Sequence, residues 1–399
     1  MKVGILTYHW VANMGANLQA LSTYNYLKNH GFEPVILNWV PSDVEKYYIK
    51  NVSEIQRATH KAFQDENFIN ITEICRSNED IAHQIQVLDI HFVCVGSDAV
   101  FSTKPYLSQW HIGRRGVVRN KPYSDGTPNS PFWGEFVKYL PIDYSIELVA
   151  LSVSAQNTPY KKILFNSEKR KYRNALKRFS KITVRDIWTK EMCEYVSGMN
   201  ISPEITPDPV FGYNYNVKSQ PLNYVKTQLG IEGNYALLSV SSSVKDTEWI
   251  RTLEKLFAED GIVLIGLPKT NSPFSKVLKY NLDFPISPDE WYDAIKYSKG
   301  YIGELMHPVL VSLHNAVPVY AFDTYGFKGG FQFDNKSSKT YQIMRRFDLL
   351  CNYYNRLYNS LPTPEEVHNR IQTTNTAKIA QIAAEMLSQY KNMMSELLK

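Results

Sequence analysis

Cysteine is scarce in this chain, and its few cysteines follow no familiar pattern. Cys75, Cys94, Cys193 and Cys351 lie 19, 99 and 158 residues apart. Such spacing matches neither a zinc site nor a redox pair, and nothing in it indicates a disulfide framework. We therefore expect no metal site and no resident cofactor.

Long apolar runs and a strong excess of one charge are also missing. No apolar run approaches the ~20 residues that a transmembrane helix needs. Only Met1 and Lys2 precede the first strand in this sequence, so we expect no signal peptide. A net charge of +5 is by itself too slight to imply nucleic-acid binding. We therefore expect a soluble, cytoplasmic protein with no nucleic-acid partner.

Short apolar strands that alternate with helices dominate what is present. With 399 residues, the chain is too long for one ordinary core. The strands predicted at 3–7, 90–95, 182–185, 235–240 and 301–303 are separated by helical segments, and this alternation favours parallel sheets covered on both faces. We therefore predict an α/β fold with an N-terminal domain over 1–213, a C-terminal domain over 214–360 and a helical tail over 361–399.

The segment after strand 301–303 gives the strongest local signal for chemistry. Pro308 suits the first position of a helix, which predicts His307 at or near the N-cap. Free N–H groups and the positive end of the helix dipole form an anion site there. The same dipole lowers the pKa of an imidazole, so a neutral His307 can donate a hydrogen bond. A histidine that only caps the helix is the alternative.

Loops after other strands carry further candidates, because ligands of such sheets bind beyond the carboxyl ends of the strands. Gly15 allows close backbone approach, and Asn17 fits either a helix cap or a contact to a sugar hydroxyl. Asp98 is placed to act as a general base or to cap the next turn. Arg185 is suited to clamp a carboxylate or phosphate, or to form a salt bridge with a neighbouring acid.

Two longer segments invite a binding interpretation. The irregular stretch 102–146 contains Trp133 and is too long for a plain connector, so it is a candidate substrate loop. Between Lys161 and Lys181 there are nine Lys or Arg residues and one acid, Glu168. This basic run suits an anionic membrane surface or a diphosphate-linked acceptor, or it is simply a solvated face.

Taken together, these segments resemble the polysaccharide pyruvyl transferase family. The matches are short, but they follow the family's order over residues 3 to about 340. They are Gly4-Ile5-Leu6-Thr7 with Asn13-Met14-Gly15-Ala16-Asn17, Val95-Gly96-Ser97-Asp98, Ser152-Val153-Ser154-Ala155, Thr183-Val184-Arg185-Asp186, Pro207-Asp208-Pro209, and Ile302-Gly303-Glu304-Leu305-Met306-His307 followed by Val317-Pro318-Val319.

The resemblance implies two Rossmann-like domains that face each other across a cleft, as in GT-B glycosyltransferases. It also implies transfer of an enolpyruvyl-derived group from phosphoenolpyruvate, a co-substrate, onto two hydroxyls of one sugar, which gives a cyclic pyruvate ketal and phosphate. Family members decorate capsule or cell-wall glycans, often on lipid-linked precursors, so contact with the inner membrane surface is expected.

On this basis we predict a role for each candidate residue. His307 and Asp98 are expected to be catalytic. Arg185, His307, Pro308 and Ser154 are expected to bind the donor, and the C-terminal domain is expected to be the donor side. Asn13, Gly15, Asn17 and Trp133 are expected to bind the acceptor, on the N-terminal domain.

One position departs from the family pattern. The family commonly has an arginine two residues before the motif histidine, and this chain has Leu305 there. A donor with a carboxylate and a phosphate needs several cations, and Arg345 and Arg346 are possible substitutes. A GT-B glycosyltransferase that uses a nucleotide sugar and a non-catalytic glycan-binding homologue are the competing interpretations.

Overall fold

Two α/β units make up the chain in the computed structural model, which describes residues 1–113, 116–240, 244–268, 277–324, 326–329 and 332–398. The elements of the first unit are β1 (Lys2–Leu6), α1 (Met14–Asn29), β2 (Glu33–Ile36), α2 (Ser42–Asn51), α3 (Glu54–Asn67), α4 (Asn78–Val87), β3 (Phe92–Asp98), β4 (Trp110–Gly113), β5 (Gly116–Arg119), β6 (Glu147–Val153), α5 (Asn166–Leu176), β7 (Lys181–Val184), α6 (Ile187–Ser197) and β8 (Glu204–Ile205).

The second unit continues the same alternation and ends in two helices. Its elements are α7 (Tyr213–Asn216), α8 (Leu222–Leu229), β9 (Asn234–Ser239), α9 (Thr247–Glu259), β10 (Ile262–Gly266), β11 (Tyr280–Asn281), α10 (Pro288–Lys296), β12 (Tyr301–Gly303), α11 (Met306–His314), β13 (Val319–Asp323), β14 (Phe327–Gly329), β15 (Gln332–Asp334), α12 (Lys339–Arg346), β16 (Tyr353–Asn355), α13 (Pro364–Thr373) and α14 (Thr376–Leu397).

Each unit is built on a six-stranded parallel sheet. The first sheet has the order β2-β1-β3-β6-β7-β8, and the second has the order β11-β10-β9-β12-β13-β16. The central strands are apolar and almost wholly buried, because helices cover both faces of a parallel sheet. The strands of the first sheet come from residues 2–205 and those of the second from residues 234–355.

Local capping chemistry fixes where the helices begin. Asn13 accepts a hydrogen bond from the Ala16 amide at the start of α1. Asp186 caps α6 through the Thr189 amide, and α10 begins with a capping box formed by Ser287 and Glu290. These caps lie directly after strands or loops, so they determine how the post-strand segments are presented.

One continuous apolar core joins the two units. It contains residues from α1, α10, α11 and α14, and from the turn at 209–213 between the sheets. The last helix, α14, returns to the first unit, where the Met393 sulfur lies 3.2 Å from the Ser152 hydroxyl. Its Tyr390 ring rests on Gly212, where an added Cβ would lie 2.1 Å from the ring. The orientation of the two sheets therefore depends on close packing as well as on the connecting chain.

Candidate functional site

Charged side chains from both units converge where the two sheets face each other. Asp98 ends β3, Arg185 follows β7, and Asp208 lies in the segment that leaves the first unit. The Arg185 guanidinium donates to Asp208 Oδ2 at 2.5 Å and lies 3.5 Å from Asp98 Oδ1. From the second unit, His307 enters in the first turn of α11 and Lys339 begins α12. The arrangement is a buried cluster of two acids and three basic side chains.

A cavity of about 310 Å³ opens on one side of this cluster. Arg185, Asp208 and Met306 form part of its wall, and α12 contributes Lys339 with Arg345 and Arg346. More basic than acidic side chains line the cavity, so it suits an anionic ligand.

Several basic atoms of the cluster are left without hydrogen bonds. Nε of Arg185 and Nε2 of His307 are buried and have no hydrogen-bond partner, and Nη2 of Arg185 makes no hydrogen bond but lies 3.5 Å from Asp98 Oδ1. Across the described part of the chain, the Lys339 ammonium makes no hydrogen bond or ion pair either. Buried donors are almost always satisfied in folded proteins. Their convergence therefore marks a place where a ligand with several acceptor oxygens fits.

The electrostatics of the cluster set the charge of each group. Burial lowers the pKa of His307, so the ring is neutral at neutral pH, although Asp98 and Asp208 oppose this shift. Burial would raise the pKa of Asp98, but Arg185, His307 and Lys339 outweigh it, so the pKa lies below its usual value. Burial and the neighbouring Arg185 lower the pKa of Lys339 to about 8. At neutral pH the site therefore holds an ionised Asp98, a neutral His307 and a mostly charged Lys339.

Gly15 brings the first unit directly against the His307 ring. A Cβ built on Gly15 would lie 2.0 Å from His307 Cγ and 2.2 Å from Nδ1. No side chain fits there, so glycine is needed for the close approach of the start of α1 to α11. The expectation that Gly15 contacts the acceptor is corrected, because Gly15 is buried beneath His307.

A second cavity of about 650 Å³ lies on the other side of Asp98, within the first unit. Tyr47, Tyr48 and Tyr123 contribute aromatic walls, and Asp125 and Asn13 contribute polar groups. Asp98 has a φ of +82°, a backbone conformation that is costly for a residue with a Cβ and is common at functional sites. Its carboxylate lines this cavity and also pairs with Arg185, so it connects the two cavities.

Some predicted site residues are structural. Trp133 is 0% exposed and stacks on Phe101 with ring centroids 4.2 Å apart, so the expectation that it binds the acceptor is wrong. Asn17 is also fully buried, where it donates to the His9 carbonyl and accepts from His60. Its hydrogen bonds hold the loop after β1, and it has no surface to offer an acceptor.

The start of α11 and the Ser154 hydroxyl also differ from expectation. The N-cap of α11 is Leu305, so His307 is the second helical residue and Pro308 the third. The helix starts earlier because the Leu305 N–H donates to the Tyr301 hydroxyl, which fixes the chain right after β12. Pro308 is buried and has no N–H to offer an anion.

The buried Ser154 hydroxyl donates a hydrogen bond to Asp186, so it supports the cap of α6 and does not contact a donor substrate.

Lys339 and Asp208 are the two members of the cluster that were not predicted as site residues. Asp208 belongs to a quoted motif, Pro207-Asp208-Pro209, which was its signal. Lys339 follows Ser338, whose hydroxyl donates to Asp323 at the end of β13. In the sequence, Ser338 indicates only that a helix begins there. It does not indicate which cavity the Lys339 side chain faces.

No group of three or more His, Cys, Asp or Glu residues suited to hold a metal occurs among the described residues. Over the same ranges, no helix combines the length and the apolar character needed to cross a membrane.

Comparisons with known proteins agree with this geometry. A family model described as polysaccharide pyruvyl transferase matches residues 13–325. The structure of Arabidopsis thaliana UGT89C1 complexed with quercetin has a TM-score of 0.52 at 12% sequence identity, covering 100% of this chain and 98% of that chain. The same protein complexed with UDP has a TM-score of 0.50 at 11% identity, with 100% and 98% covered. This likeness shows the fold: two Rossmann-like domains that face each other across a cleft, as in GT-B glycosyltransferases. A search of curated proteins found no match.

Proposed function

Because this chain belongs to the polysaccharide pyruvyl transferase family, we propose that it transfers pyruvate from phosphoenolpyruvate to two hydroxyls of one sugar. The products are a cyclic ketal and phosphate, and the setting is the biosynthesis of a capsule or cell-wall glycan. The observation that carries the proposal is that Arg185, whose buried Nε has no hydrogen bond, and Lys339 line one cavity, and that Met306, the residue before His307, belongs to the same wall.

Phosphoenolpyruvate suits this cavity because it carries two anionic groups on one small carbon skeleton. Arg185 is held by Asp208 through Nη1, and its Nη2 lies 3.5 Å from Asp98 Oδ1, which leaves Nε to contact the donor carboxylate. The phosphate then lies against Lys339, His307 and the start of α11, which has no side-chain cap. Leu305 stands where the family commonly has an arginine and carries no positive charge. In this proposal Lys339 supplies that charge.

Arg345 and Arg346 are placed less well for that role. Both line the cavity, but they belong to the last turn of α12, whereas Lys339 begins the helix. Arg346 donates to Gln389 of α14, so part of its hydrogen-bonding capacity is already used. Lys339 is also close enough to affect the pKa values of both Asp98 and His307.

The second cavity is the proposed acceptor site. Aromatic walls with a few polar groups are typical of sites for small molecules with apolar and polar faces. A sugar that rests against Tyr47 and Tyr123 there has its hydroxyls within the region lined by Asp98 and Asn13. Asp98 then separates donor from acceptor and is ionised, as a base must be.

The proposed reaction balances without a redox partner. Protonation of the donor methylene carbon gives a methyl group and an oxocarbenium-like centre. The first hydroxyl attacks this centre and loses its proton to Asp98 or His307. The bond from that carbon to the phosphate oxygen then breaks, and the second hydroxyl takes its place. The two sugar hydroxyls release two protons in all. One of them balances the proton added to the methylene carbon, and the other leaves with phosphate. Lys339 and the start of α11 stabilise the charge that builds on the leaving phosphate.

The test is incubation of the protein with phosphoenolpyruvate and a lipid-linked glycan, with measurement of released phosphate and of the mass of the glycan. Phosphate release that depends on the glycan, with a mass gain of one pyruvylidene group, is expected. Transfer from a nucleotide sugar alone would assign the protein to glycosyl transfer, and glycan binding without turnover of either donor would mark a non-catalytic homologue. His307→Ala is expected to lower kcat/KM by about 10²–10³-fold, and a near wild-type rate would remove His307 from the site.

A further inference from the structure

The β4–β5 hairpin places apolar side chains in solvent. Ile112 pairs with Val117 across the hairpin, and these side chains are 89% and 68% exposed. The neighbouring Val118 is exposed as well. A lone two-stranded ribbon is only marginally stable in water, and a contiguous exposed apolar patch marks an interaction site.

The apolar patch continues from the hairpin to the segment before α5. The Tyr106 ring lies 6.1 Å from the Trp110 ring and 6.1 Å from the Phe165 ring, so the two parts are in contact. The Tyr106 amide also donates to Glu168 of α5 at 2.8 Å. We call this patch the hairpin surface, and its exposed apolar residues are Tyr106, Leu107, Trp110, Ile112, Val117, Val118, Leu164 and Phe165.

Basic side chains flank the hairpin surface on the α5 side. The exposed ones in and around this helix are Lys161, Lys162, Arg170, Lys171 and Lys177. Between the root of the hairpin and α5 lies a cavity of about 410 Å³ whose charged lining is Lys104, Arg119, Lys171 and Glu168. Glu168 is already engaged by the Tyr106 amide, so the cavity presents mainly positive charge.

We propose that the hairpin surface docks the protein on an anionic lipid membrane, with the flanking lysines and arginines against the lipid phosphates. Exposed aliphatic side chains enter the boundary between headgroups and acyl chains, whereas Trp and Tyr rings prefer the headgroup level. Basic residues beside such a patch are attracted to anionic lipid. Charge complementarity therefore identifies the occupant as a membrane, because the flanking charge is almost entirely of one sign.

The position of the surface also suits an acceptor that is attached to a lipid. The cavity beside α5 and the proposed acceptor cavity share Lys104, Pro122 and Gly126 in their walls. A glycan that reaches Asp98 through these connected cavities has its lipid end at the hairpin surface. This last step rests on the proposed function, whereas membrane docking itself does not.

The experiment is co-sedimentation of the full chain with vesicles, without donor or glycan. Vesicles of equal parts phosphatidylcholine and phosphatidylglycerol are expected to bind the protein, and phosphatidylcholine vesicles to bind it much less. Ile112→Asp and Val117→Asp are each expected to weaken binding by about tenfold or more, because a carboxylate resists entry into the membrane. The matched control is Ile142→Asp, a change at a side chain that is fully exposed elsewhere on the same unit.

The basic flank is tested in the same way. The double variant Lys161→Glu with Lys162→Glu is expected to lose binding and its salt dependence, whereas Lys255→Glu with Lys299→Glu, at exposed positions of the second unit, is expected to keep both. Unchanged thermal unfolding midpoints show that each variant is folded. Equal binding to neutral vesicles, no binding to either vesicle, or self-association through the hairpin in place of vesicle binding would each overturn the proposal. Phosphate release is measured separately, so a failure of docking and a failure of the proposed reaction are distinguishable.

Discussion

Replacing Gly15 by alanine is expected to disable the site through His307. The added Cβ would lie 2.0 Å from the ring, whereas ordinary contact begins at 3.4 Å. The imidazole or the start of α1 must therefore move by about 1.4 Å. Since a misplacement of about 1 Å at a reacting centre costs on the order of 10²-fold in rate, Gly15→Ala is expected to lower kcat/KM for phosphoenolpyruvate by about that factor.

The assay is steady-state phosphate release in the presence of the glycan acceptor, for Gly15→Ala, His307→Ala and the double variant. If Gly15 acts only by leaving room for His307, adding Gly15→Ala to His307→Ala changes the rate little, so the two effects do not add. Full additivity, or a Gly15→Ala enzyme with normal kcat/KM and an unchanged thermal midpoint, would refute the reasoning.

Four further predictions concern charge and packing. Lys339→Met is expected to weaken phosphoenolpyruvate binding by about 10–100-fold, the range for a lost charged hydrogen bond. Because Lys339 has a pKa of about 8 and binds an anion only when protonated, wild-type kcat/KM falls as pH rises through that value, and Lys339→Arg, which stays charged, removes this limb of the pH profile. Asp208→Asn leaves the buried Arg185 without its closest carboxylate. We therefore expect urea unfolding to show a free energy of unfolding lower by about 3–5 kcal/mol. The exposed control Asp143→Asn is expected to lower it by no more than about 0.5 kcal/mol. Tyr390→Ala removes the ring that packs α14 against Gly212. We expect it to lower the free energy of unfolding by about 3–5 kcal/mol in the same measurement. A decrease below about 1 kcal/mol for Asp208→Asn or for Tyr390→Ala would contradict the packing described.

The parallel architecture was predictable because its signals are local. Val-, Ile- and Leu-rich runs that end in glycine or a polar residue mark buried strands, and β12 was predicted at its observed bounds. Asp98, Arg185 and His307 were singled out because each follows or begins an element at the carboxyl edge of a parallel sheet. The topology brings such positions together whatever the intervening loops do.

The remaining site features depend on tertiary packing that a local pattern does not encode. Lys339 reaches the cluster because Ser338 ties the start of α12 to Asp323. The closeness of Gly15 to His307 depends on how the two units pack, which the shared apolar core decides. Trp133 was misassigned because the loop-like composition around it concealed that its aromatic residues insert into the core.

The central claim is that the basic cluster binds phosphoenolpyruvate and that Lys339 replaces the cation absent at Leu305. Isothermal titration of phosphoenolpyruvate into the wild type, Lys339→Met and Lys339→Arg at a pH below 8 tests it directly. The account predicts binding by the wild type and Lys339→Arg, and binding weakened by about 10–100-fold in Lys339→Met. Equal affinity of all three proteins, or no binding by the wild type, would contradict it.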